Sequence, residues 1–206
     1  MIRAFLAVQV TEPLRTTLAA VQSDVKRRIT PELPRDVSLS WVRPASMHLT
    51  VKFLGDISDA LVLPLREAIS DALRHHRVVH IPLHRLGVFP RQQQPRVLWI
   101  GPPDLWQGSE DAARLAALHR AIEASCVALN LAADARPLSA HLTLARIKAG
   151  HRTAGQALAR SGAMDRLPVA VDPLAVDAIA LMRSELKPTG SVYTALWESK
   201  LQAAIS

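Results

Sequence analysis

A single cysteine, Cys126, is present in the 206-residue chain, which excludes an internal disulfide and a cysteine-based metal centre. Its expected place is as a small buried hydrophobe on a helix. Aromatic residues make up only 4%, which argues against a module that reads RNA sequence by stacking many bases. No apolar run approaches the ~18 residues needed to span a bilayer. The opening Met1 to Val10 is short, interrupted by Arg3, and alternates like a strand rather than forming a secretory signal. No Gly/Ser-rich linker divides the chain. Acidic residues are the minority charge, 18 against 25 Lys plus Arg, for a net +7. That sign suits a polyanionic partner, and the basic residues are spread out rather than gathered into a disordered arm. The apolar fraction of 49% and charged fraction of 21% exclude disorder and low-complexity architecture. A chain of this length buries roughly 70% of its unfolded surface. The expectation is a soluble, cytoplasmic, globular protein with a full core.

Ile2, Ala4, Leu6, Val8 and Val10 alternate as a half-buried strand. Thr11 is placed to cap a helix carrying Leu14, Leu18, Val21, Val25 and Ile29 at helical spacing, closed by Pro31 and Pro34. Val37 to Trp41 and Met47 to Leu54 read as a strand pair joined through Arg43-Pro44. Ser58 is placed to cap a second helix with Leu61, Leu65, Ile69 and Leu73. Strands are expected at Val78–Leu83 and Arg96–Ile100, separated by a turn-rich Gly87 to Arg91 stretch. A long helix carries Leu115, Leu118, Ile122, Cys126 and Leu129, and a strand runs from Ala140 to Ile147. A short helix near Thr153–Ala159 and strands near Val169–Val171, Ala175–Met182 and Ser191–Trp197 complete the chain. Hairpins mixed with helices fit an α+β fold rather than a doubly wound parallel sheet.

One internal repeat stands out: His48-Leu49-Thr50-Val51 and His141-Leu142-Thr143-Leu144, a little under half the chain apart. Each lies in an alternating segment after a proline-containing turn. In a strand, residues i and i+2 share a face, so His48 pairs with Thr50 and His141 with Thr143, away from the intervening leucines. Halves related by a pseudo-two-fold axis would aim two imidazoles and two hydroxyls at one small anion. A lone His-x-Thr is an ordinary strand tripeptide; two copies in matching contexts point to a site.

Taken with Arg3-Ala4-Phe5-Leu6-Ala7, Trp41-Val42-Arg43-Pro44, Lys52-Phe53-Leu54-Gly55, Gly87-Val88-Phe89-Pro90, Arg96-Val97-Leu98-Trp99, Ala145-Arg146, Leu181 to Leu186 and Gly190 to Thr194, the repeat resembles the two-histidine phosphoesterase superfamily. Within it the chain is similar to the bacterial and archaeal RNA 2′,3′-cyclic phosphodiesterases, also named 2′-5′ RNA ligases. The resemblance covers essentially the whole chain, in order. It implies a bilobal α+β fold with two antiparallel sheets flanking a central cleft, helices outside, and one motif per lobe. Residues 1–206 would form a single domain of two intertwined lobes. It further implies metal-independent hydrolysis of a ribose 2′,3′-cyclic phosphate at an RNA end, such as a tRNA fragment, to a 2′-phosphate. Neither cofactor, metal nor membrane is implied, and a monomer is expected. By residue, the resemblance assigns His48 as general acid, His141 as general base, and Thr50, Thr143 and Arg146 as phosphate ligands.

Histidine suits that chemistry because its ordinary pKa of ~6.5 lets it give or take a proton near neutrality. Strict alternation places Arg146 opposite His141, so a bulge or strand end must bring it round. His76, His80 and His84 recur every four residues, but a strand spaces them ~13 Å apart, too far to share an ion. His75, His119 and His151 are expected at the surface. Trp41 and Trp99 are read as core aromatics, and Phe53 as a core-side residue able to line the cleft. Arg43, Lys52, Arg91, Arg96 and Arg183 are candidates to track RNA phosphates. Two other functions fit the pattern: a phosphodiesterase for a small cyclic nucleotide or ADP-ribose cyclic phosphate, and a non-catalytic RNA-binding module. The matched pair of proton-transfer groups argues against the latter.

Overall fold

The protein is described here by a computed structural model covering residues 1–167, 169–188 and 190–202. Among these, four α-helices are interleaved with ten strands. In chain order they are β1 (Ile2–Gln9), α1 (Glu12–Ile29), β2 (Ser38–Trp41), β3 (His48–Ile57), α2 (Val62–Leu73), β4 (Val79–Ile81), β5 (Arg85–Phe89), β6 (Val97–Gly101), α3 (Glu110–Ala128), β7 (Leu142–Ala149), α4 (His151–Ser161), β8 (Leu174–Val176), β9 (Ala178–Lys187) and β10 (Gly190–Lys200). Two four-stranded antiparallel sheets dominate, in the orders β10-β9-β1-β3 and β2-β7-β6-β5, with β4 and β8 forming a small third sheet. This is the expected α+β class.

The expected pairing of β2 with β3 does not form. β2 joins β7 in the second sheet, with Trp41 opposite Ala145, while β3 lies beside β1. The Pro44–Ser46 3-10 turn separates the two strands and lets the chain cross between sheets. In return β9 and β10, from the second half, complete the first sheet. Strand exchange in both directions brings the motif strands β3 and β7 against one another.

The alternation of Ile2, Ala4, Leu6, Val8 and Val10 buries that face in the main core, where Leu14, Leu18, Val21 and Val25 of α1 also pack. The opposite face of β1 builds a small second cluster from Phe5, Ala7, Ala180 and Met182, with Tyr193 against it. Thr11 occupies the position before α1 without a side-chain cap, and Pro13 fills the first turn, where its missing N–H costs nothing. The Ser58 hydroxyl accepts from the Ala60 amide and starts a 3-10 turn, Asp59–Leu61, that runs into α2. Gly87 lies in β5, not in a turn. A Cβ there would stand 2.1 Å from the indole of Trp99, its cross-strand neighbour, so glycine lets the tryptophan lie flat across the sheet. The strand expected near 169–171 does not form. No helix of the described residues is long and apolar enough to cross a membrane.

Lys52 is not a surface cation. Only 4% exposed, it donates from Nζ to both carboxylate oxygens of Glu123 on α3, at 2.8 and 2.7 Å, and to the Ala132 carbonyl at 2.8 Å. The Asp134 amide donates to the same carboxylate at 3.2 Å. Buried ion pairs are sustained by such full hydrogen bonding. His119 is likewise buried, with Nε2 3.6 Å from Glu123, and burial pushes the Cys126 thiol up to about 11. Removing one charge of the pair leaves the other buried and alone. Lys52→Met is therefore expected to cost about 3–5 kcal/mol in denaturant unfolding, with most of that recovered in Lys52→Met/Glu123→Leu. A loss below about 1 kcal/mol, within the range of exposed pairs, would show that the pair is not what holds α3 to β3.

Candidate active site

Between the sheets lies a cleft of about 200 Å³ lined by His48, Thr50, Phe53, His141, Thr143 and Arg146, with Arg3, Phe5, Ser184 and Tyr193 completing the wall. All five residues singled out from the sequence thus meet in one place. Among its described lining residues there is no carboxylate, and two guanidiniums are present. The cradle suits an anion. No group of three or more His, Cys, Asp or Glu among the described residues is placed to hold a metal.

Each motif strand carries a bulge just past its threonine. In β3, Ala7 of β1 faces Thr50 and Leu6 faces Lys52, so one residue of β3 has no partner. In β7, Trp99 of β6 faces Thr143 and Leu98 faces Ala145, leaving Leu144 unpaired. An extra residue reverses which face the following side chains occupy. Arg146 therefore joins Thr143 in the cleft, although regular alternation would point it away. By the same device Phe53 is turned out of the core into the cleft, 69% exposed, and Lys52 into the interior. Phe53 and Arg146 each stand five residues after a motif histidine, so the bulges place them in matching positions on opposite walls.

The imidazoles are held alike. Nδ1 of His48 lies 2.8 Å from the Ser46 carbonyl, and Nδ1 of His141 lies 2.8 Å from the Ser139 carbonyl. A carbonyl only accepts, so each Nδ1 carries hydrogen and donates it, which leaves Nε2 as the working nitrogen. These two serines, each two residues before a histidine, escaped the sequence reading; the signal available was the Pro-x-Ser-x-His-Leu-Thr pattern that both motifs share. Aromatic rings brace both histidines. Phe5 lies 4.8 Å and Tyr193 5.2 Å from the His48 ring, and Phe89 5.0 Å and Trp99 6.3 Å from the His141 ring, centroid to centroid.

This packing has an electrostatic consequence. Burial pushes the pKa of both histidines below the ordinary value of 6.5, partly opposed by the carbonyl bonds, and the Arg146 charge pushes them down further. For His48 the neighbouring His141 adds to the depression.

Of the remaining basic candidates, Arg43 donates to the Ser191 carbonyl at 2.9 Å, Arg91 to Gln94 at 3.2 Å, and Arg183 pairs with Glu185 at 3.0 Å. Arg96 is exposed and outside the cleft lining, Trp41 is half-buried against the core, and Trp99 is buried.

A family model described as "LigT like Phosphoesterase" matches residues 8–99 and 108–193. A protein of Methanothermobacter thermautotrophicus named RNA 2′,3′-cyclic phosphodiesterase is 30% identical over 94% of this chain and 95% of its own length. One of Thermus thermophilus with the same name is 32% identical over 97% of this chain and 90% of its own length. Among solved structures, TT0787 of Thermus thermophilus aligns with a TM-score of 0.70 and 26% identity, over 99% of this chain and 100% of that one.

Because both imidazoles have depressed pKa values, the folded chain binds fewer protons than the unfolded one as pH falls through 6.5. Stability is therefore expected to be complete above pH 6.5 and to decline as pH falls through the folded-state values. Histidine ring titration by nitrogen NMR should give midpoints below 6.5 for His48 and His141, rising when inorganic phosphate is added. Midpoints above 6.5 in the free protein would contradict the desolvated, cationic cleft.

Proposed function

The chain belongs to the LigT-like phosphoesterase family, and from that premise we propose that it opens 2′,3′-cyclic phosphate ends of RNA by hydrolysis, without a metal, leaving a 2′-phosphate. The observation that carries this reading is the pair of histidines with Nδ1 fixed by main-chain carbonyls and Nε2 free, on opposite walls of one cleft with no carboxylate among its described lining residues. Such a site is built to move two protons beside an anion.

His141 accepts a proton from water as the water oxygen attacks phosphorus. The bond from phosphorus to the ribose 3′-oxygen breaks, and that oxygen takes the proton held by His48. The Thr50 and Thr143 hydroxyls donate to the non-bridging oxygens, where charge builds in the transition state, and Arg146 adds a fixed cation there. Each proton transfer is typically worth ~10²–10⁴-fold. At pH 7 the free cleft favours two neutral imidazoles, so the acid form of His48 has to be restored by substrate. The phosphodiester anion does this by setting its negative charge beside the buried imidazole and offsetting the Arg146 charge. Phe53 presents its exposed ring beside the phosphate cradle, a face for the terminal base. With a 5′-hydroxyl in place of water the same ring opening joins the 5′-oxygen to phosphorus as the 3′-oxygen leaves, giving a 2′-5′ linkage, but in ~55 M water hydrolysis dominates.

His48→Ala and His141→Ala are each expected to lower kcat by ~10²–10⁴-fold on a short RNA with a 2′,3′-cyclic end, while RNA binding persists. Turnover should survive EDTA, and product analysis should find a 2′-phosphate. A 3′-phosphate would mean that the other ring oxygen leaves, and full turnover in either variant would remove the two-histidine mechanism. The same RNA set beside a cyclic mononucleotide separates an RNA-end enzyme from one for small cyclic phosphates.

The pH profiles follow from the depressed histidines. The bell in kcat/KM, which reports the free enzyme, should centre below pH 6.5. Its basic limb should move to higher pH in kcat, because bound phosphodiester stabilises the imidazolium. Coincident basic limbs would show that substrate does not recharge the acid.

A further inference from the structure

We propose that Gln22 is a positioning residue for Arg146: its buried side-chain amide holds the bulge that turns the guanidinium into the cleft. Gln22 lies on the inner face of α1, 9% exposed, among Leu18, Val21 and Val25, where an apolar side chain would pack without desolvating an amide. Its Nε2 donates to two main-chain carbonyls, Val42 at 2.7 Å and Leu144 at 2.8 Å. These are no ordinary ladder positions. Leu144 is the residue of β7 without a partner in β6, and Val42 lies one residue beyond the paired stretch of β2. The Val42 amide donates to the same Leu144 carbonyl at 2.9 Å.

A bulge locally disrupts its ladder. The Leu144 carbonyl already accepts from the Val42 amide, so Gln22 adds a second bond there and ties it, through its own side-chain amide, to the Val42 carbonyl. The two hydrogens of one amide meet the two carbonyls at this seam. They fasten the crossing from β2 toward the first motif to the bulge of the second. Two residues after Leu144 comes Arg146, whose side of the sheet depends on that bulge being kept. Gln22 touches neither cleft nor substrate; it acts through the strand.

This inference rests on the proposed role of Arg146 as a phosphate ligand, so the test carries that residue as a separate arm. Wild type, Gln22→Met, Arg146→Ala and the double variant are compared on a short RNA with a 2′,3′-cyclic end. Gln22→Met keeps the volume and removes both donors. It should lower kcat/KM about 10- to 100-fold, the scale of misplacing a binding group by about an ångström. Arg146→Ala should lose at least as much, and the double variant should be no worse than Arg146→Ala alone. The ring pKa values of His48 and His141, followed by nitrogen NMR, should rise in Gln22→Met toward those of Arg146→Ala, since both take the cation away from the imidazoles. If Gln22→Met does not fold, Gln22→Asn, one methylene too short to reach both carbonyls, must show the same pattern. Wild-type kcat/KM in the Gln22 variant, losses that multiply in the double variant, or unmoved histidine titrations would each overturn the positioning role. Wild-type activity in Arg146→Ala would instead overturn the phosphate-ligand reading.

Discussion

Side chains on a β-strand alternate with period two, and the cleft has its present walls because that alternation is broken just past the threonine of each motif strand. Without the bulge in β7, Thr143 and Arg146 would lie on opposite faces of the sheet; without the bulge in β3, so would Thr50 and Phe53. The irregularities also explain the interior. The slip that sends Phe53 outward sends Lys52 inward, where Glu123 and the Ala132 carbonyl receive it. One backbone device therefore supplies both a functional surface and a buried polar clamp on each side of the molecule, Lys52 behind the first motif and Gln22 behind the second.

The two motifs are alike in backbone and unlike in what they present. Both histidines hand Nδ1–H to a serine carbonyl two residues earlier, and both lean on aromatic rings. At the matching fifth position one wall carries an apolar ring and the other a guanidinium. A cyclic nucleotide end is itself lopsided, with a flat base on one side and a charged phosphorus centre on the other. The pseudo-symmetric scaffold brings the imidazoles together, and the Phe53/Arg146 difference gives the cleft a direction. The absence of carboxylates among its described lining residues keeps the potential positive. The histidine pKa values are depressed first by burial among those aromatic rings, and the Arg146 cation in the same cleft lowers them further.

Strand exchange between the halves makes this geometry robust. β2 leaves the first half to pair with β7, and β9 and β10 return to pair with β1, so neither sheet forms from one half alone. The cleft is thus tied to completion of the core, and the residues that cross the seam, Gln22 with its two carbonyls and Arg43 with Ser191, are local records of that interdependence.

Whatever depends on local periodicity was legible in the chain. The alternation of Ile2 to Val10, the helical spacing of Leu14 to Ile29 and of Leu115 to Cys126, and the pairing of His48 with Thr50 and His141 with Thr143 follow from periods of two and 3.6 that a residue carries in its own neighbourhood. The repeat itself announced two facing motifs. Only the tertiary structure decided that Trp41 sits beside Ala145, that Gly87 serves Trp99 rather than a turn, that His119 and Lys52 are buried, and that Arg146 and Phe53 reach the cleft. Each of those outcomes turns on a partner distant along the chain or on a one-residue slip against a neighbouring strand. Hydrophobic patterning cannot encode such a slip, because a bulge inverts the pattern without changing the residues that compose it.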